Sequence, residues 1–147
     1  MLIALCVLLI LADQAVKHYI SAAMPLGASV PVFPGIFHIT LVHNPGAAFG
    51  VLANQRGLFI VFSIVLVLAM AFFYRRLLQE SFSVRYGAFL LLGGAMGNLI
   101  DRVRYGYVVD FFDFRIWPVF NVADIAIVCG VGLLMYAVIF EMKETEG

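Results

Sequence analysis

Charge is what this chain has least of. Of its 147 residues only 12% are Asp, Glu, Lys or Arg, nine acidic against nine basic, whereas 64% are hydrophobic and the mean hydropathy is +1.05. A water-soluble domain carries about 25% charged residues. The balance here leaves too little polar surface to cover a globule in water, so the chain reads as one compact integral membrane domain. With zero net charge and no basic cluster available to bind phosphates, nucleic acid is excluded as a partner. Cysteine is scarce as well: Cys6 and Cys129 both sit in apolar runs and read as small hydrophobes, not as a disulfide or a nucleophile. The three histidines, His18, His38 and His43, lack the H-E-x-x-H spacing that sets two metal ligands on one helical face. No G-x-S-x-G is present, and Ser63 lies inside an apolar run with no histidine beside it, so serine chemistry has no support.

What the chain does have is long apolar runs. A spanning helix needs about 20 mainly apolar residues, and four segments approach that, at about 1–20, 57–74, 84–103 and 119–140. The first has no basic leader and no small-x-small cleavage site after it, and is expected to be a retained helix. The second is interrupted only by Ser63 and closes on Arg75 and Arg76; the third is short unless it extends through Asp101 and Arg102. In the fourth, residues 125–140 carry no charge at all, yet Asp124 stands directly before them. Four spans put both termini on one side. Lys and Arg divide almost evenly between the two sets of ends, but one set (Lys17, Arg56, Arg102, Arg104, Arg115) is mixed with all five aspartates. The other, with Arg75, Arg76, Arg85 and Lys143, is assigned to the cytoplasm. The stretch 22–56, with "SVPVFPGIFHITLVHN" and its alternation of His38, Thr40 and Val42 against Ile39 and Leu41, reads as a small strand-rich element at the opposite membrane surface. The connection 103–118 contains the strand-like "GYVVDFFDF", and the tail "EMKETEG" is a solvated end.

Ionisable residues within spans cost about 2.5–3.5 kcal/mol each near the centre, and are usually paired or functional. Here they gather at one end. Asp13 and Lys17 are four apart, neighbours on one helical face, and serve either as an ion pair or directly. In "GGAMGNLIDR", Gly94, Asn98 and Asp101 share a face, while Gly93 and Gly97 have the small-xxx-small spacing of closely packed helices. Asp110 in "VVDFF" and Asp124 in "FNVAD" are each flanked by large apolar residues. If the two converge they cannot both ionise cheaply and should share one proton, a pair fit for general acid–base work on a carbonyl. Helix capping and interface anchoring are the structural alternatives, and Asp113 competes with Asp110 for the role.

The ordered set Asp13-x-x-x-Lys17, "HNPGAAFG" (43–50), "GNLIDR" (97–102), "VVDF" (108–111) and "FNVAD" (120–124) resembles the lipoprotein signal peptidase, or signal peptidase II, family over essentially the whole chain. The resemblance implies a membrane all-α bundle with a small β element: four transmembrane helices plus an extracytoplasmic strand-rich cradle between the first two, forming a single peptidase domain over 1–147. It implies a bacterial inner-membrane aspartyl endopeptidase, multi-pass, with the active site toward the extracytoplasmic face and both termini cytoplasmic. Such an enzyme removes the signal peptide of a prolipoprotein by cutting before its diacylglyceryl-modified cysteine. By the same match Asp110 and Asp124 are catalytic. Asn44, Gly46, Asn98, Arg102 and Asn121 line the substrate site, and Asp13, Lys17 and Asp101 support it. No metal or other cofactor is implied; the expected partners are prolipoprotein substrates and membrane lipid, and the expected state is a monomer. Two departures stand out. Pro45 follows the asparagine where a threonine or other polar residue is common, and the connection between Asp110 and Asp124 is shorter than in several relatives. The rival classes are a small transporter or proton relay, which would spread ionisable residues through the membrane depth, and a non-catalytic scaffold packed through Gly93 and Gly97.

Overall fold

The computed structural model describes residues 1–46 and 55–141. The end of the "HNPGAAFG" motif (47–50) and the tail with Lys143 lie outside the described residues.

Apolar runs free of proline become helices. They are α1 (Leu2–Ala23), α2 (Arg56–Phe72), the short α3 (Tyr74–Leu77), α4 (Phe82–Tyr105) and α5 (Val122–Tyr136), the last continuing into a π-helical turn, Ala137–Glu141. α4 begins at Ser81, whose hydroxyl accepts from the Val84 N–H. It ends at Gly106, where a φ of +86° is sterically free only for glycine. α5 opens with a reciprocal cap: the Asn121 side chain accepts the Asp124 N–H, and the Asp124 carboxylate accepts the Asn121 N–H.

α4 is the central helix, packed against α1, α2 and α5. Its small residues make that possible. A Cβ on Gly94 would collide with the Ala123 carbonyl oxygen of α5, and one on Gly97 would stand 2.7 Å from the Asp13 carboxylate of α1. Gly93 likewise meets Leu9 of α1, so the Gly93–Gly97 spacing marks a close helix approach, as the sequence predicts. Leu2, Cys6, Met70, Ala88 and Phe89 form an apolar core where the starts of α1 and α4 meet the end of α2. Outward, Leu8, Leu58, Phe62, Val65, Leu68, Val128 and Met135 are exposed, an apolar belt suited to lipid. Two helices are long and apolar enough to cross a membrane, Leu2–Ala23 and Val122–Glu141; Arg56–Phe72 is apolar but shorter.

Strands β1 (Ser29–Phe33), β2 (Phe37–Asn44) and β3 (Val108–Asp113) form an antiparallel sheet in that order. The cradle is therefore not built from the insertion between the first two helices alone; its third strand comes from the segment after α4. The simple alternation read along β2 is also broken. Ile39 pairs with Phe112 and Val42 with Asp110, so β2 spends one residue more than β3 between those pairs. This bulge keeps Ile39 on the Asp110 side while bringing Val42 and Asn44 to the same side.

Candidate active site

Asp110 and Asp124 reach one place from different elements. Asp110 is the third residue of β3, only 1% exposed, and Asp124 is the third residue of α5. Asn121 bridges them: its Nδ2 donates to Asp110 Oδ1 (2.6 Å) and its backbone N–H to Asp124 Oδ2 (3.2 Å). The capping reading of Asp124 is thus correct as far as it goes. The cap occupies one carboxylate oxygen; the other accepts from Asn98 Nδ2 at 2.8 Å.

Three asparagine amides serve the two carboxylates, and each is oriented by a donor on its oxygen. Asn44 Oδ1 accepts the Gly46 N–H (3.0 Å), which leaves Nδ2 to donate to Asp110 Oδ2 (2.8 Å). Asn121 Oδ1 accepts the Asp124 N–H (2.9 Å), which turns its Nδ2 to Asp110, Asn98 Oδ1 and the Val109 carbonyl. Asn98 Oδ1 accepts from Asn121 Nδ2 (3.1 Å) and from Lys17 Nζ (3.0 Å), so its Nδ2 faces Asp124. An amide carries its donor and acceptor at opposite ends, so occupying the oxygen decides where the N–H groups point.

Lys17 is held in turn. Its ammonium lies 2.8 Å from Asp13 and 3.0 Å from Asp101, all three side chains at most 3% exposed. Asp13 also accepts the Ala123 N–H at the start of α5 (2.9 Å), and Asp101 the Val109 N–H of β3 (3.1 Å). Of the two readings of Asp13 and Lys17, the ion pair is the one seen, and it ties α1 to α4, β3 and α5. Gln14 completes the cluster, donating to Asp101 (2.8 Å), the Gly97 carbonyl (3.1 Å) and Asp13 (3.3 Å). Sequence reading missed Gln14; a polar residue beside Asp13 within an apolar helix was the available signal. Arg102 donates to the Gly46 carbonyl (3.1 Å) and lies 4.4 Å over the Phe59 ring. Among the described residues it has no carboxylate in ion-pair range, which leaves charged donors facing the cleft.

Asp113 does not join the site. An odd number of residues from Asp110 on the same strand, it projects from the other face. There it accepts from the Thr40 hydroxyl (2.7 Å) and from Arg115. Burial pushes its carboxyl up, but those donors outweigh burial and hold it below its ordinary value. Asp110 is the opposite case. Burial first and the Asp124 charge second push it up to about 7, against the pull of Asn44, Asn121 and Lys17. Its environment suits a carboxyl that keeps a proton near neutrality.

From the two carboxylates a cleft of about 590 Å³ descends between α2, α4 and α5. Its walls are apolar (Phe59, Phe62, Leu91, Ile127), with Arg102 and Trp117 also lining it. Ser63, barely exposed, faces this cleft rather than any histidine. Among the described residues no group of three His, Cys, Asp or Glu side chains is arranged to hold a metal ion.

A family model and the related proteins agree on one family. The family model for signal peptidase (SPase) II matches residues 5–140. The lipoprotein signal peptidase of Moorella thermoacetica is 47% identical over 144 residues, 98% of this chain and 95% of that one. That of Halothermothrix orenii is 47% identical over 128 residues, 87% and 88% of the two chains. A bacterial membrane enzyme solved by the in meso method superposes with a TM-score of 0.86 at 34% identity, over 98% of this chain and 88% of that one. With a family model spanning nearly the whole chain and relatives matched from end to end, this membrane protein belongs to the signal peptidase II family.

Proposed function

We propose that this chain removes the signal peptide of prolipoproteins as an aspartic endopeptidase, with Asp110 and Asp124 hydrolysing the bond before a diacylglyceryl-modified cysteine. The observation that carries this reading is the pairing of a buried carboxylate, Asp110, with a half-buried one, Asp124, through Asn121 at the head of an apolar cleft. Asp110 holds the shared proton and Asp124 is ionised. Asp124 takes a proton from water as the oxygen attacks the scissile carbonyl, and Asp110 donates toward the carbonyl oxygen. Collapse of the tetrahedral intermediate returns a proton to the leaving amine. Asn44, Asn98 and Asn121 keep the carboxylates in place, and Arg102 offers charged donors to the substrate backbone or lipid headgroup.

The depth of the site follows from the substrate. A cysteine carrying acyl chains keeps them in the bilayer, so the bond before it lies near the interface, and a carboxylate at the mouth of α5 meets it without extracting the lipid. The membrane arrangement that fits has spans α1, α2, α4 and α5 and both termini cytoplasmic. The sheet and dyad then face the outside of a bacterial inner membrane, and the domain acts as a monomer. The proton-relay reading is weaker, because among the described residues the charged groups of α2, α4 and α5 sit near the helix ends, and the one at mid-helix, Asp13 of α1, is locked in an ion pair with Lys17 instead of standing in a chain across the bundle.

The test is cleavage of a diacylglyceryl-modified prolipoprotein by purified protein with excess chelator. Wild type cleaves; Asp110→Asn and Asp124→Asn, folded normally, each lose about 10³-fold or more in rate, within the usual worth of a positioned acid or base. Near wild-type cleavage by either variant rules out the dyad. No cleavage by folded wild type moves the proton-relay reading forward, to be followed by proton flux in liposomes.

A further inference from the structure

The peptidase chemistry leaves a second cavity unused. It measures about 480 Å³ and lies between the last two turns of α1, the end of α4 and the sheet. Its sheet wall is the face opposite Asp110, because His43, which lines it, pairs with Val109, one residue beyond the Val42–Asp110 pair. One side is an aromatic ladder. The His43 and Tyr107 rings stack at 3.8 Å, Tyr105 stacks on Tyr107 at 5.9 Å, and the Arg104 guanidinium sits 5.4 Å over Tyr105. Lys17 reaches the cavity already neutralised by Asp13 and Asp101. Arg104 has no carboxylate within ion-pair range among the described residues, so the cavity holds one uncompensated cation. His18 and Ser21 line it too, with no side-chain hydrogen bond to any described residue. These groups are far apart in sequence, which is why no basic cluster is visible there.

The α1 surface below the cavity changes character. Ser21, His18, Gln14, Leu11 and Leu8 follow one another at steps of three or four residues, a row of neighbours that runs obliquely around the helix. Leu11 and Leu8 are 60% and 63% exposed. Polar donors at the end of the helix pass into bare leucines toward the membrane interior, the profile of a phospholipid laid along the helix. We infer that the cavity binds one anionic phospholipid of the outer leaflet. Arg104, His18 and Ser21 hold its phosphate, and its acyl chain runs down Leu11 and Leu8. A zwitterionic headgroup would bring its own cation against Arg104. Free phosphate shares the headgroup chemistry, and only a lipid makes use of the leucines. The inference rests on the membrane orientation proposed above, not on the dyad.

Native mass spectrometry of the full chain released from nanodiscs of equal phosphatidylglycerol and phosphatidylcholine tests it. Wild type should retain a single phosphatidylglycerol in clear preference to phosphatidylcholine. Arg104→Gln should cut that retention about tenfold, the loss of one charge-assisted hydrogen bond. Arg104→Lys should keep most of it, and Arg75→Gln, at the far end of the bundle, should leave it unchanged. Prolipoprotein cleavage on the same samples stays active in Arg104→Gln and certifies the fold, so a failure here is distinct from a failure of the peptidase reading. Equal retention of both lipids, or retention indifferent to Arg104→Gln, overturns the site. Displacement of the lipid by millimolar inorganic phosphate, with a phosphate adduct in its place, overturns the lipid assignment and leaves a bare anion pocket.

Discussion

Lys17→Met separates charge from geometry at the centre of the molecule. In the folded protein Lys17 neutralises Asp13 and Asp101 and also holds the oxygen of Asn98, so that the Asn98 amide donates to Asp124. Methionine keeps the length and apolar stem and removes the ammonium. Deleting one partner of a buried ion pair costs about 3–5 kcal/mol, because the remaining charge stays buried and uncompensated. Two carboxylates are stranded here, although each keeps a backbone N–H and Gln14 as donors. The expected destabilisation is therefore in that range, not above it. Catalysis should suffer separately. With only Asn121 left on its oxygen, the Asn98 amide can turn and present that oxygen to Asp124. Loss of a hydrogen bond to a charged group, about 1.5–3 kcal/mol, corresponds to roughly 10- to 100-fold in kcat.

The double variant Lys17→Met/Asp101→Asn tells the two effects apart. It restores the net charge of the cluster to its original value, so a large part of the stability should return. The Asn98 amide still lacks its ammonium, so kcat should stay depressed. Stability is read as thermal unfolding in detergent and kcat with the diacylglyceryl-modified substrate at saturation. Wild-type kcat in folded Lys17→Met, or full recovery of kcat in the double variant, would refute the idea that Lys17 acts through the Asn98 amide.

Other outcomes follow from the same geometry. With the shared proton assigned to Asp110, as proposed, and that carboxyl pushed up to about 7 by burial and by Asp124, kcat/KM should fall about tenfold per pH unit above that value. A pH–rate profile flat from 6 to 9 would count against it. The same raised value means the folded state holds this proton more tightly than the unfolded chain. The stability it contributes is complete below the ordinary carboxyl value near 3.8 and is lost as pH rises through about 7; Asp110→Asn should flatten that slope in thermal unfolding. Gly94→Ala would drive a Cβ into the Ala123 carbonyl of α5, one residue from Asp124, and should cost about 1–3 kcal/mol together with activity. Gly57→Ala, with nothing within 4 Å, should be neutral or slightly stabilising, and matching behaviour of the two in thermal unfolding and cleavage assays would refute the close-packing argument.

The helices are legible because apolar runs leave a local mark. Asp110 and Asp124 stand out as carboxylates flanked by large apolar residues, whereas Asn44, Gly46 and Asn121 follow only from the family resemblance. Apolar runs mark the bundle, and a lone aspartate before an uncharged run marks the mouth of α5. Pairing across distance leaves none. Nothing in "GYVVDFFDF" says that it pairs with β2, nor that a one-residue bulge sets Asn44 beside Asp110 instead of facing it away. Asp113 could be dismissed only once β3 was a strand, since alternation then fixes its face. Gln14 escaped notice for a different reason: its partners are a carbonyl and two carboxylates, two of the three supplied by α4, and no pattern within α1 predicts them.

The way the site is assembled also bears on how it tolerates change. Asp110 arrives on a sheet edge and Asp124 on a helix cap, two elements joined by the chain from 114 to 121. A change in the length of that connection would disturb the pair if the whole of it positioned the carboxylates. In this fold only its last two residues do: Phe120 pairs back onto Phe112 of β3 and Asn121 starts the cap. Asn121 is fixed by the cap at one side and reaches Asp110 at the other, Asp13 clamps the start of α5 to α1, and Asp101 clamps β3 to α4. Lys17 joins those two clamps. The separation of the carboxylates is therefore set by these side chains together with the backbone bridge between Phe120 and Phe112, and the residues around Ile116, 93% exposed, can vary in length without moving the reacting atoms.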